Sequence, residues 1–142
     1  VSRLALAQAD AILAGAFAEA RDTGARPLCV AVLDHGGNLV AVARQDGASI
    51  LRPKIAIAKA AGALAMGMSS RELAVMAVDR PVFVTSLASL SVHGLVASPG
   101  GVIIVGDDGL PIAAVGVSGD TPDIDERCAF AGIRAAELRC HR

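Results

Sequence analysis

At 142 residues, with 13 basic against 14 acidic side chains and a net charge of -1, the chain has the length of one domain, 1–142. It lacks the basic tract and interleaved aromatics of a nucleic-acid surface. The 54% apolar content comes from Ala, Val, Leu and Ile, with three Phe and neither Trp nor Tyr. This is more small apolar surface than one small core needs, and the surplus points to a homo-oligomer.

Leu6, Ala9, Leu13, Phe17 and Ala20 recur at helical spacing, and Gly24 follows as a natural stop, which predicts a first helix over Ser2–Thr23. The runs "LCVAVL" (Leu28–Leu33) and "NLVAVAR" (Asn38–Arg44), joined by "DHGG", predict a hairpin. Pro53–Met66 suits a helix with proline in its first turn and Gly67 past its end. Ser69 and Glu72 form a capping-box pattern opening a short helix through Val78. Val82–Val96 is ambiguous between helix and irregular cover. A second hairpin pairs "GVIIV" with "LPIAAVGV" through "GDDG". Thr121 and Pro122 then open a last helix, with Ile124, Cys128, Ala131, Ala135 and Leu138 along one face.

The order αββααββα predicts an α/β (α+β) fold: a central, mainly antiparallel sheet of two hairpins, flanked by helices and covered on at least one face. The segment Pro81–Gly106 carries no formal charge, but Pro99, Gly100, Gly101 and His93 are foreign to a lipid-exposed helix. Gln8, Asp10 and Glu19 likewise interrupt the first helix as a signal peptide would not allow. No membrane partner and a cytoplasmic location are therefore expected. Cys29, Cys128 and Cys140 are far apart without a C-x-x-C spacing, so neither a disulfide framework nor a metal site is indicated.

Three clusters could carry chemistry. Arg44, Asp46 and Gly47 end a strand, where they are either its solvated exit or part of a site. Lys59, on a helical face with Ile55 and Gly62, either snorkels or reaches a pocket as an anion contact or tunable acid. "SPGG" (Ser98–Gly101) is either an ordinary turn or a set of N–H groups aimed at a ligand oxygen. In "GVSGDTPDIDERCA", the acids Asp120, Asp123, Asp125 and Glu126 gather at a helix start, which favours negative charge. Capping needs fewer than four, and Asp125 is the one taken to face a pocket. His35 falls in a hairpin turn, His93 in the uncharged stretch and His141 in the tail.

Taken together, "VAVLDHGGNLVAVARQDGA", "IAIAKAAGALAMG" and "SPGGVIIVGDDGLPIAAVGVSGDTPDIDERCAFAG" resemble the GlcG/HbpS-like family of small haem-binding or haem-degrading proteins, over about Leu4 to Ala136. The resemblance implies a profilin-like fold, self-assembly from dimer to octamer, a small-molecule ligand and haem as a possible cofactor. Asp34, Arg44, Asp46, Lys59, Gly100, Gly101, Gly119 and Asp125 match its motif positions. Gln45, Asp120 and Ile124 depart from it, standing where the family often has Met, Gly and Gln.

Three functions follow from these residues. In the first, Arg44, Lys59 and the N–H groups of Gly100, Gly101 and Gly119 hold haem or another small carboxylate. The second is an enzyme of aromatic or organic-acid catabolism that hydrolyses a lactone, or hydrates or tautomerises an oxo-acid. There Lys59 and Arg44 bind the substrate, and Asp46 or Asp125 moves the proton. The third is a purely structural assembly module.

Overall fold

The structure, a computed structural model, describes residues 3–141. Its elements are α1 (Leu6–Thr23), β1 (Cys29–Asp34), β2 (Leu39–Arg44), α2 (Arg52–Met66), α3 (Ser70–Asp79), α4 (Pro81–Leu87), a 3-10 turn (Ala88–Leu90), β3 (Gly101–Val105), β4 (Pro111–Ser118), α5 (Pro122–Ala135) and β5 (Arg139–Cys140). The two hairpins and flanking helices follow the order read from the sequence. The ambiguous stretch supplies α4 and the turn, and the tail adds the short β5. Ser2, expected to open the first helix, lies outside the described residues.

The hairpins join through β1 and β4 to give a sheet of order β2-β1-β4-β3-β5, antiparallel at every pairing. Because side chains alternate along a strand, each central strand serves two layers. Val30, Val32, Val102, Ile104, Val115 and Val117 face α1 and α5, against Ile12, Ala16, Cys128, Ala129 and Ile133. Ala31, Leu33, Ile103 and Ala114 face α2, against Ala56, Ala60, Ala61 and Ala63. The sheet is thus covered on both faces, which explains why Cys29–Leu33 of β1 and all of β3 are apolar without a break.

Local chemistry sets the boundaries. Gly24 and Gly67 end α1 and α2 in the left-handed conformation, and the Ser69 and Thr121 hydroxyls accept the Glu72 and Ile124 N–H groups at the starts of α3 and α5. No helix among the described residues is long and apolar enough to cross a membrane.

The buried stripe of α5 is turned relative to the one expected: it runs through Asp125, Cys128, Ala129, Gly132 and Ile133. A carboxylate on an apolar stripe defeats a pattern that counts only apolar residues, and its partner lies on another helix. The alanine-rich α2 sits unusually close to the sheet, because β4 presents Gly116 to it. A methyl group at Gly116 would collide with the Ala56 carbonyl. Gly116→Ala is expected to destabilise the chain by about 1–3 kcal/mol through overpacking. A urea unfolding curve with a lower midpoint and an unchanged slope checks this.

Candidate functional site

At one end of the sheet, β1 begins at Cys29, β2 ends at Arg44, β4 ends at Ser118 and β3 begins at Gly101. Most of the residues singled out from the sequence meet here. Lys59 leaves α2 on one face of the sheet, and Asp125 belongs to α5 on the other. They join around this end, with Lys59 Nζ 3.0 Å from Asp125 Oδ2 and 2.9 Å from the Val117 carbonyl, to which it donates. Their side chains are only 4% and 2% exposed, so the lysine does not snorkel to solvent.

The path of the lysine depends on Gly100, whose φ of 131° is awkward for any side chain. A Cβ there would lie 2.6 Å from the Val117 oxygen and 2.9 Å from Lys59 Nζ. At Gly101 a methyl would strike the Lys59 backbone carbonyl. The paired glycines therefore open a passage for the ammonium. The Gly101 N–H donates to Ser70 Oγ at 2.7 Å, a fully buried hydroxyl that sequence reasoning missed. Its only sequence signal is its place after the cap of α3.

Asp125 also holds the turn before α5, since its Oδ1 accepts the Asp120 N–H at 2.9 Å. Burial pushes this carboxyl above the usual carboxylate range, against the opposing pull of Lys59 and of the Asp120 and Gly119 N–H groups. Burial likewise pushes the Lys59 ammonium down while Asp125 pulls it up. Desolvation raises the nearby Cys128 thiol to about 11, which leaves it a poor nucleophile.

Asp120, the departure in the glycine turn, fastens this end from outside. Its Oδ2 accepts the Arg26 N–H at 2.6 Å and its Oδ1 the Thr121 N–H at 2.7 Å, tying the start of α5 to the α1–β1 connection. These N–H groups, Arg26 first, hold its carboxyl below the usual range. Gln45 has a comparable task, accepting the Leu28 N–H at 2.9 Å through its side chain.

Lys59, Asp125, Gly100, Gly101 and Gly119 are thus brought together, with the two side chains engaged inside the protein. Arg44 and Asp46 stand at the same end but are exposed, and open onto a separate cleft of about 550 Å³ with Phe17, Arg21 and Pro27. A second cleft, about 960 Å³, lies between α3, α5 and β5. Val102, Phe130, Ile133 and Leu138 give it an apolar floor, and Arg71, Arg134, Arg139, Glu126, Cys140 and His141 surround them. Arg71 spans its α3–α5 side, with Nε 3.0 Å from Glu126 and its Nη2 on Asp123. Sequence reasoning passed over this cleft because its lining comes from four short, separate segments.

The architecture and the glycine-lined sheet end define a small three-layer α/β protein with solvent-facing clefts at the margins of its sheet. Residues 4–134 match the family model described as haem degrading protein HbpS-like, and the chain belongs to that family. The crystal structure of HbpS is 31% identical with a TM-score of 0.81, over 94% of this chain and 90% of that one. Protein ORFY from Klebsiella pneumoniae is 25% identical with a TM-score of 0.85, over 96% and 92%. A PduOC:heme complex shares the fold, with a TM-score of 0.88 at 23% identity over 99% of this chain and 100% of that one. A search of curated proteins returns no significant match.

Two outcomes are expected at this site. Lys59→Met strands a buried carboxylate and destabilises the chain by about 3–5 kcal/mol. Adding Asp125→Asn, which keeps an acceptor for Asp120, should make the double variant less unstable than the sum of the singles, read by a double-mutant cycle in urea. The depressed Asp120 carboxyl contributes stability that is full above the usual carboxylate pKa and lost as pH falls through its lowered value. The advantage of wild type over Asp120→Asn should therefore shrink in thermal melts taken from about pH 6 down to about pH 2.

Proposed function

We propose that this chain binds haem, or another flat ligand carrying carboxylates, in the cleft between α3, α5 and β5. The observation that carries the reading is the apolar floor of Val102, Phe130, Ile133 and Leu138 beside the cations Arg71, Arg134 and Arg139. Its volume of about 960 Å³ falls near the top of the range of roughly 300–1,000 Å³ for small-molecule pockets. A porphyrin face suits the floor, and guanidinium groups suit its propionates. The Cys140 thiol and the His141 imidazole border the same cleft and are ligand types that iron accepts. Bound haem supplies a redox-active iron, while the chain orients the ring and neutralises its carboxylates. Membership of the HbpS-like family supports the choice of haem.

A second reading, turnover of a small oxo-acid or lactone, is favoured by one observation: Arg21, Arg44 and Asp46 open onto a shared cleft, an acid beside two cations. Lys59 and Asp125 enter this reading as supports of the sheet end on which Arg44 is mounted. Loss of turnover in Asp46→Asn with the fold intact supports it.

The chain self-associates, on this proposal, through α3, α4 and the turn after them. Val75, Val78, Val82 and Leu90 are 64–82% exposed there, apolar surface that a second copy of the chain would cover. Val78→Glu with Val82→Glu should shift the mass measured by light scattering towards the monomer.

Titrating haemin into the apoprotein should give a saturable Soret shift at one haem per chain. Arg134→Glu with Arg139→Glu should weaken that affinity about tenfold or more. A titration without saturation removes the haem reading.

A further inference from the structure

Two of the three histidines, far apart in the chain, face the same small cleft. His35 lies inside the turn of the first hairpin, closed by the Gly37 N–H donating to the Asp34 carbonyl at 3.0 Å. His93 lies inside the turn from Ser91 to Gly94, closed by the Gly94 N–H donating to the Ser91 carbonyl at 3.3 Å. The two turns wall a cleft of about 300 Å³ over Ala61, Leu64 and Ala65, near the C-terminal end of α2. Both imidazoles are exposed and border the same space.

The surroundings favour a cation. The floor of the cleft is uncharged. Beside His35 stands the Asp34 carboxylate, whose Oδ1 accepts the Gly36 and Asn38 N–H groups at 3.0 and 2.9 Å. These bonds fix it within the turn, so it acts through its charge rather than as a ready ligand. The C-terminal end of α2, capped at Gly67, adds the negative pole of a helix dipole. Small side chains at Ala61 and Ala65 keep the space between the turns open.

We propose that His35 and His93 together bind a divalent first-row transition ion such as zinc, nickel or copper, with water completing its coordination. Neutral imidazole is a ligand that these ions share. Among the described residues no group of three or more His, Cys, Asp or Glu side chains converges. The site is accordingly an open two-ligand one, unlike the closed four-ligand centres that hold folds together. It lies on a different cleft from the haem reading and does not depend on it.

Calorimetric titration of the full chain with zinc chloride and with nickel chloride tests this. One ion per chain is expected, with His35→Ala and His93→Ala each weakening binding about tenfold or more, since even the loss of an outer-shell partner costs that much. Asp10→Asn, an exposed acid on α1 that lines none of these clefts, should leave it unchanged. In the wild type, nickel should broaden the NMR signals of the Ala61 and Ala65 methyl groups before others. Undiminished binding in either His35→Ala or His93→Ala, or an equal loss in Asp10→Asn, overturns the proposal. Each of the two substitutions falls in an exposed turn, so a folded variant is available for the comparison.

Discussion

A single buried ion pair ties the three layers together. Lys59 and Asp125 belong to helices on opposite faces of the sheet, and the lysine reaches the acid only by passing the end of β3 and β4. Two charges removed from water are costly, and they are tolerated here because the ammonium and both carboxylate oxygens have partners: the Val117 carbonyl, the Asp120 N–H and each other. The contact does what apolar packing against a sheet cannot. It fixes the position of one helical layer relative to the other, and with it the turn from which α5 and its cleft-lining residues start.

That arrangement explains why the chain is so rich in glycine and alanine around the pair. An alanine face lets α2 settle close to β4, and Gly100, Gly101 and Gly116 remove the side chains that would keep it away. The bulkier rings stand at the margins, where Phe130 lines the cleft between α3, α5 and β5 and Phe17 lines another.

The hairpins, the capped starts of α3 and α5 and the glycine stops of α1 and α2 were legible in the sequence because each is encoded by a few neighbouring residues. Lys59 and Asp125 were legible as unusual residues, but not as each other's partner, since nothing local links positions on opposite faces of a sheet. The turned stripe of α5 has the same origin: Asp125 counts as polar in any periodic pattern and as buried once its counter-ion is in place. The bonds made by Ser70 and Gln45 were not legible, because a hydroxyl or amide that satisfies one backbone group resembles any surface residue. The clefts were the least legible features, their linings being assembled from segments that meet only when the sheet forms.

The passage past Gly100 also bears on how such a chain can vary. Any side chain at that position closes the route, a neutral residue in place of Lys59 isolates an acid, and a neutral residue in place of Asp125 isolates a base. Each single step leaves a partner stranded or a route blocked, so these three positions, scattered along the chain, are coupled through one contact. The exposed margins are under no such restraint. Substitutions in the clefts there leave the hidden lysine and its acid untouched.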